Sequence, residues 1–429
     1  MISIILLSIL LVIAVGYITK INIGFFAIAA AYLIGAFMMD LSINDLIKQW
    51  PVKIFFVIFS LSLFYNIALA NGALEKLANH LLYHCRNIPN ALPLALFAAA
   101  TIIAGLGAGF YTVLAFMAPL TLLLCTKTKM NLVIGSMALN YGALAGANFM
   151  TSQSGIIFRG LLETNHIPQT TAFSYSSGIF IATLLLPIVL LSIYSLWSFQ
   201  SSSIEIQAEK PEPFTQQQKQ SIYLILLLMG IVLIIPILKI IFPDNLTISW
   251  INKKLDIGFL AIIFAAISFW MKLADEKKVI ALVPWNTLIM ICGMGMLIGV
   301  GVQAGVINTL ATWISGNVPV WLIPIAFCVI SAIMSIFSST LGVVAPTLFP
   351  IVPSIAAQAD INPLILFIAI VVGAQATSIS PFSSGGSLIL SSAPADVDKN
   401  VLLNKLLFQA IPIGVIAALI AIIATQLIL

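Results

Sequence analysis

Two stretches decide how this chain is read: GALAGANFMTSQSG, from Gly142 to Gly155, and GAQATSISPFSSGG, from Gly373 to Gly386. Each is a polar, glycine-bearing interruption inside an apolar helix. They begin 373 − 142 = 231 residues apart and end at the same offset. Irregular polar backbone survives at membrane depth only where it lines a cavity or is buried in protein. The pattern therefore predicts one binding site built from two halves of a duplicated membrane protein.

Composition around these stretches agrees. Of 429 residues, 61% are hydrophobic and only 7% charged, and the mean hydropathy is +1.15. So few charges cannot cover a water-soluble globule of this size, which makes the chain an all-α polytopic membrane protein. The net charge of +4 is spread over many loops and gives no sign of a nucleic-acid partner. Cys85, Cys125, Cys292 and Cys328 form no close-spaced pair, so they indicate neither a zinc site nor a disulfide framework. They read as small buried apolar residues.

Apolar runs of spanning length fall at about 2–19, 22–39, 54–71 and 173–197, and again at about 221–242, 257–271, 286–304 and 406–429. Between the third and fourth run of each half lie an apolar hairpin (92–125; 319–350) and the interrupted helix. The expected organisation is a first repeat over 1–197, a polar cytoplasmic linker over 198–220 and a second repeat over 221–429. Marker residues repeat too: Gly24 with Gly258, Trp50-Pro51 with Pro284-Trp285, Gly72 with Gly305, and Pro119 with Pro350. The first run has no basic flank, and its counterpart is a span, so it reads as a span and not as a cleaved signal.

If each hairpin enters and leaves on one side, each half crosses five times, for about ten spans. The second half is then inverted relative to the first. Alternate loops collect twelve Lys and Arg residues on one side, including Lys76, Arg86, Lys127, Lys277 and Lys405, against six on the other, including Lys48, Lys53 and Arg159. The richer side is expected to be cytoplasmic, with both termini outside.

Ionisable residues lie almost entirely at helix ends or in loops, so the spans lack the paired acids of a proton relay. The breaks carry hydroxyl and amide groups instead: Asn148, Thr151, Ser152, Gln153 and Ser154 in the first, and Gln375, Thr377, Ser378, Ser380, Ser383, Ser384 and Ser387 in the second. A broken helix exposes N–H groups that attract a carboxylate and C=O groups that can ligate Na⁺. Pro381 supports the second break by removing a helix donor. The alternative is close helix packing by small residues; it is preferred for Gly142, Ala143 and Ala145, whereas a site is preferred for Thr151 to Ser154 and for Ser383, Ser384, Gly385 and Gly386.

The hairpin turns are placed at Gly105, Gly107 and Gly109, followed by Tyr111 and Thr112, and at Ser338, Ser339, Thr340 and Gly342. Arms of about 15 residues are short for full spans, which favours re-entrant hairpins over helix pairs with a surface turn. His80 and His84 are spaced like metal ligands but lack an accompanying glutamate motif, so they read as a solvated helix face. Arg159 is either a contact for substrate carboxylate or a rim arginine, and Glu163 lies one turn beyond it.

NYGALAGANFMTSQSGIIFRGLLE (Asn140 to Glu163), FFVIFSLSLFYNIALANGALEKLA (Phe55 to Ala78) and SISPFSSGGSLIL (Ser378 to Leu390) carry a resemblance. Through them the chain is similar to the ion transporter superfamily, in particular the divalent anion:sodium symporters with citrate transporter-like domains, and most of all the bacterial MatC-type malonate and dicarboxylate carriers. The resemblance implies an elevator-type carrier, usually a homodimer, in the bacterial cytoplasmic membrane. Its substrate-binding residues would be Asn148, Thr151, Ser152, Gln153, Ser154, Gly155, Thr377, Ser378, Ser380, Ser383, Ser384, Gly385, Gly386, Gly109, Tyr111, Ser339 and Thr340. Na⁺ is the candidate coupling ion, near Gly107, Asn148, Ser338 and Thr377; no other cofactor is expected. At both hairpin tips the chain departs from the Ser-Asn-Thr triplet of those symporters.

Secondary transport of a small dicarboxylate, driven by Na⁺ or H⁺, is the leading expectation. An inorganic-ion carrier or cation/proton antiporter on the same plan is the alternative, disfavoured because no acid sits in the breaks. An enzyme lacks raw material, with three histidines and no metal-ligand cluster. A Walker-type nucleotide motif is likewise absent from the sequence.

Overall fold

Apolar runs become helices here, and the chain turns at residues whose side chains cap helix ends. The computed structural model describes residues 2–19, 21–85, 92–197, 211–242, 244–394 and 397–428. The first half comprises α1 (Ile2–Thr19), α2 (Ile23–Met38), α3 (Ile43–Lys48), α4 (Val52–Ala70) and α5 (Ala73–Cys85). Hairpin arms α6 (Leu92–Ile103) and α7 (Phe110–Thr128) follow, then the broken helix α8 (Leu132–Ala147) and α9 (Gln153–Thr164), then α10 (Gln169–Trp197).

The second half repeats this order with α11 (Gln216–Ile241), α12 (Leu246–Lys254), α13 (Ile257–Trp270), α14 (Glu276–Ala281), α15 (Trp285–Gln303) and α16 (Val306–Asn317). Its hairpin is α17 (Ile323–Phe337) with α18 (Ala345–Leu348) and α19 (Val352–Ala359), and its broken helix is α20 (Pro363–Ala376) and α21 (Ser384–Ser391), followed by α22 (Lys399–Lys405) and α23 (Ile411–Ile428). Only α12 has no counterpart among the described residues. α11 starts with a Thr215–Gln218 capping box, so it takes up the end of the stretch read as linker. Residues 198–210 of that stretch lie outside the described residues.

Six of the described helices are long and apolar enough to cross a membrane: Val52–Ala70, Gln169–Ser195, Gln216–Ile235, Trp285–Gln303, Thr340–Ala359 and Lys399–Ile428. Shorter apolar helices, among them Ile23–Met38, Leu132–Ala147, Ile257–Trp270 and Pro363–Ala376, accompany them. Backbone features also recur between the two halves. Left-handed residues recur at matching places: Asp40 with Lys272, Gly72 with Gly305, and Lys129 with Asp360. Asn131 caps α8 through Val133 N at 2.9 Å, and Asn362, 231 residues later, caps α20 through Leu364 N at 3.0 Å.

Packing is reciprocal between the halves. α2 packs on α15 and α13 on α4; α6 packs on α8 and α17 on α20. Small residues set the closest crossings. A Cβ on Gly142 would meet the carbonyl of Phe97, and one on Gly373 would meet that of Cys328, again 231 residues on. The packing reading of Gly142 thus holds and extends to Gly373. Cys125, Cys292 and Cys328 are buried and free, as expected of small apolar residues; the side chain of Cys85 lies outside the described residues. His80 stacks on Phe214 with centroids 4.9 Å apart, while the side chain of His84 is not among those described. No group of three or more potential metal-ligating side chains occurs among the described residues.

At the α2–α15 crossing, a Cβ on Gly293 would run into the backbone of Gly24, which cannot rotate away. Gly293→Ala is therefore expected to destabilise the protein by about 1–3 kcal/mol, read as a lower melting temperature in detergent. Gly230→Ala in α11, where a methyl meets open space, should leave that temperature unchanged or raise it.

Candidate functional site

Four interruptions of regular helix meet at one point. The first hairpin turns through a π-helical stretch, Ala104–Ala108, in which Gly107 has φ 99°, and then through Gly109 with φ 74°. Only glycine adopts such angles without strain. The second turns at Ser338 and Ser339 into a π-helical stretch, Thr340–Val344. The broken helices stop at Asn148 and Thr377 and restart behind Ser152 and Ser383.

These interruptions enclose a cavity of about 30 Å³. Phe110 and Tyr111 come from the first hairpin, Ser154 from the first break, Ser338, Ser339 and Thr340 from the second hairpin, and Ser378, Ser383 and Gly385 from the second break. Ser335 and Gln375 complete the polar lining. No carboxylate, lysine, arginine or histidine is among the lining residues. The chemistry available is that of hydroxyls, an amide and helix ends.

The two broken helices are tied to each other across the halves. Asn148 Nδ2 donates to Gln375 Oε1 at 3.0 Å, and Gln375 Nε2 donates back to Asn148 Oδ1 at 3.1 Å. Asn148 Nδ2 also reaches Thr183 Oγ1 on α10 at 3.1 Å. Asn140 Nδ2 donates to Ser378 Oγ at 2.9 Å, and the Tyr141 hydroxyl to Ala376 O at 3.0 Å. Asn140 Oδ1 is fully buried and has no partner among the described residues.

The breaks differ in how their helix N-termini are treated. At α21 the Ser383 hydroxyl accepts from Gly386 N at 3.3 Å and donates to Ser378 O at 2.6 Å, closing the turn on itself. At α9 the cap residue Ser152 makes no side-chain cap; its hydroxyl instead donates to Ala104 O at 2.6 Å on the first hairpin. The first turn of α9 thus keeps its N–H groups available beside the cavity. Ser154, one residue into that turn and only 1% exposed, lines the cavity.

The remaining expected residues lie around the cavity and not in its wall. Asn148 holds the crossing just described. Thr151 is fully buried; its carbonyl accepts from the Tyr65 hydroxyl at 2.7 Å, and its own hydroxyl has no partner among the described residues. Gln153 packs against Gly109 and faces a neighbouring crevice. Thr377 donates to Ala332 O at 2.8 Å; Ser338, which does line the cavity, donates to Met334 O at 2.6 Å. Ser380 accepts from Phe382 N at 3.2 Å. A Cβ on Gly155 would meet Phe149 O, and one on Gly386 would meet Ser380 O, so these two glycines let each half-helix fold back onto its own break. The side chain of Ser384 lies outside those described. Gly107 sits under the Tyr65 ring. Tyr65, Asn140 and Ser335 were not among the residues expected at the site. Only Ser335 carried a signal, one helical turn before Ser338.

Each half also forms a crevice between its long helix and its hairpin. One is lined by Ile58, Ser62, Tyr65 and Asn66 of α4 with Leu282 and Pro284, and has a volume of about 50 Å³. The other is lined by the residues 233 positions away, Ile291, Gly295, Ile298 and Gly299 of α15 with Gln49 and Pro51, and has a volume of about 460 Å³. Equivalent walls thus enclose very unequal spaces.

Solved transporters share this fold. The Alcanivorax borkumensis YdaH transporter is 14% identical with a TM-score of 0.57, the match covering 89% of this chain and 87% of that one. Neisseria gonorrhoeae MtrF, described as illuminating a class of antimetabolite efflux pumps, is 12% identical with a TM-score of 0.57, covering 92% of this chain and 85% of that one. The fold is that of a membrane transporter. Within that class, residues 1–147 match the family described as dicarboxylate carrier protein MatC, N-terminus. No curated protein sequence matches the chain.

Removing one partner of the Asn148–Gln375 pair leaves a buried amide short of hydrogen bonds, at about 1–3 kcal/mol. Gln375→Leu alone should lower the melting temperature clearly, and Asn148→Leu with Gln375→Leu should lower it by less than the sum of the single changes.

Proposed function

We propose that the protein is a secondary active transporter of small dicarboxylates of the malonate and succinate class. Two inverted halves present one central site alternately to either face of the membrane. The observation that carries this reading is the N-terminus of α9, without a side-chain cap and with the Ser154 hydroxyl beside it, in the cavity where both hairpins and both breaks converge. Helix N-termini with hydroxyls suit a carboxylate. The family match over residues 1–147 supports the same substrate class.

A cavity of about 30 Å³ has room for only one or two waters, so the hairpin tips must part to admit a dicarboxylate. The unequal crevices suit a protein caught with one face more open than the other. By the charge tally, the wide crevice, bordered by Lys48 and His166, faces outward. Elevator-type movement of hairpins and broken helices against the α2, α4, α13 and α15 framework, a homodimeric assembly and residence in the bacterial inner membrane complete the reading. Na⁺ or H⁺ is the coupling ion. The oxygens of Ser378, Thr377 and the unpartnered Asn140 Oδ1 are hard, uncharged donors of the sort Na⁺ accepts.

Purified protein in liposomes is expected to accumulate labelled malonate or succinate under an imposed Na⁺ or pH gradient, each applied separately, with citrate and sulfate as competitors. If no anion on the panel moves or competes, the dicarboxylate reading fails. Ser154→Ala should raise the KM for uptake about tenfold, as the loss of a hydrogen bond to a charged ligand does. An unchanged KM removes Ser154 from the site.

A further inference from the structure

Charged side chains are scarce, yet three of them meet between α4 and α9. Glu163, with a side chain 13% exposed, accepts from Arg159 Nε at 3.0 Å one turn away on α9. It also pairs with Lys53 at the start of α4. The Arg159 side chain is itself 12% exposed, and its guanidinium lies over the Phe173 ring of α10, 5.9 Å from the centroid. Arg159 therefore fixes Glu163 on its own helix, and Lys53 reaches across from another. Asp256 lines the same pocket, but its carboxylate caps α13 through Phe259 N at 3.0 Å.

A second contact of the same kind lies deeper. The Tyr65 hydroxyl of α4 donates to Thr151 O, at the break leading into α9. Lys53 to Tyr65 and Thr151 to Glu163 are both twelve residues, so the helices run antiparallel in one register; Ile54 against Gly160 lies between the two contacts. Nothing equivalent exists among the described residues of the other half. The corresponding residues are Asn286, Leu390 and Pro394, none of them charged. α15 and α21 do not pack as α4 and α9 do.

We propose that Lys53, Glu163 and Arg159 form an ionic clasp that holds the first broken helix against α4 and stabilises the state with the wide crevice on the Lys48 face. The inference rests on the proposed movement of the broken helices against α4. A buried carboxylate shared by two cations gains from charge-assisted hydrogen bonds that a solvated surface pair lacks. Moving α9 along α4 strips Lys53 from Glu163 while Arg159 stays with it. The clasp thus acts on the α4–α9 equilibrium and leaves the local fold of α9 intact.

The test needs no transport. In full-length protein with its four cysteines replaced by serine or alanine, Ile54→Cys and Gly160→Cys place two thiols face to face, and their oxidative cross-linking rate in liposomes reports how often α4 and α9 are together. Lys53→Met and Glu163→Gln should each slow cross-linking at least about fivefold, and the two combined should slow it no further than either alone. Lys48→Met, which loses only a pair with Asp45 inside α3, should change nothing. Lys53 is 60% exposed, so its replacement leaves the fold intact, as an unchanged melting temperature would show. Equal cross-linking in Lys53→Met, Glu163→Gln and the parent overturns the clasp, whether or not any dicarboxylate is carried. Slowed cross-linking in a protein that moves no anion upholds it while the substrate reading fails.

Discussion

Everything in this structure follows from interrupting two helices inside an apolar protein. An interruption strands N–H and C=O groups where water cannot reach them, at a cost of several kcal/mol per unsatisfied group in hydrocarbon. The chain meets that cost with short polar side chains. Ser383 folds back on Ser378 O and Ser380 O. Ser152 turns outward to Ala104 O, and Tyr65 covers Thr151 O. The two solutions differ: the second break is satisfied largely by its own residues, the first largely by the neighbouring hairpin and α4. The first break is consequently coupled to its surroundings, and it is the one whose helix end stays uncapped.

A shared framework holds the two breaks at one level. Gly142 and Gly373 bring each broken helix against its hairpin arm at equivalent carbonyls, and Asn148 with Gln375 joins one broken helix to the other. Apolar packing alone would let such helices slide, since dispersion contacts are numerous but individually weak. A reciprocal buried amide pair has one geometry in which both groups are satisfied. It fixes the crossing point, and with it the separation of the four interruptions that wall the cavity.

Much of this was legible in the sequence because it is local. Apolar runs give the helices, and the glycine and serine clusters mark where the broken helices stop. The 231-residue spacing of these markers carries the repeat. What was not legible is what depends on distant partners. Asn140 meets Ser378 across 238 residues and Asn148 meets Gln375 across 227, and no local pattern distinguishes these amides from ones that face a ligand. Asn148 and Thr377 were expected at the binding surface; Asn148 is paired with Gln375, and Thr377 donates to Ala332 O. The unequal crevices were beyond any sequence reading, because residues at matching offsets line both of them and nothing local sets their difference in volume.

The charge content of the cavity constrains what the proposed carrier can do. A dicarboxylate brings two negative charges, and the lining has no cationic side chain to meet them. Two helix N-termini, those of α9 and α21, supply about half an elementary charge each, and the second is already partly satisfied by Ser383. About one charge of the dianion is therefore left uncompensated in a buried setting, where isolated charge is expensive. The deficit has to be made up by something that arrives with the substrate: a proton on one carboxylate, or a cation held by nearby oxygens such as Asn140 Oδ1. Coupling to an ion is on this reading a consequence of an anion site built without cationic side chains, and the same neutral lining lets the site release its load once the accompanying charge departs.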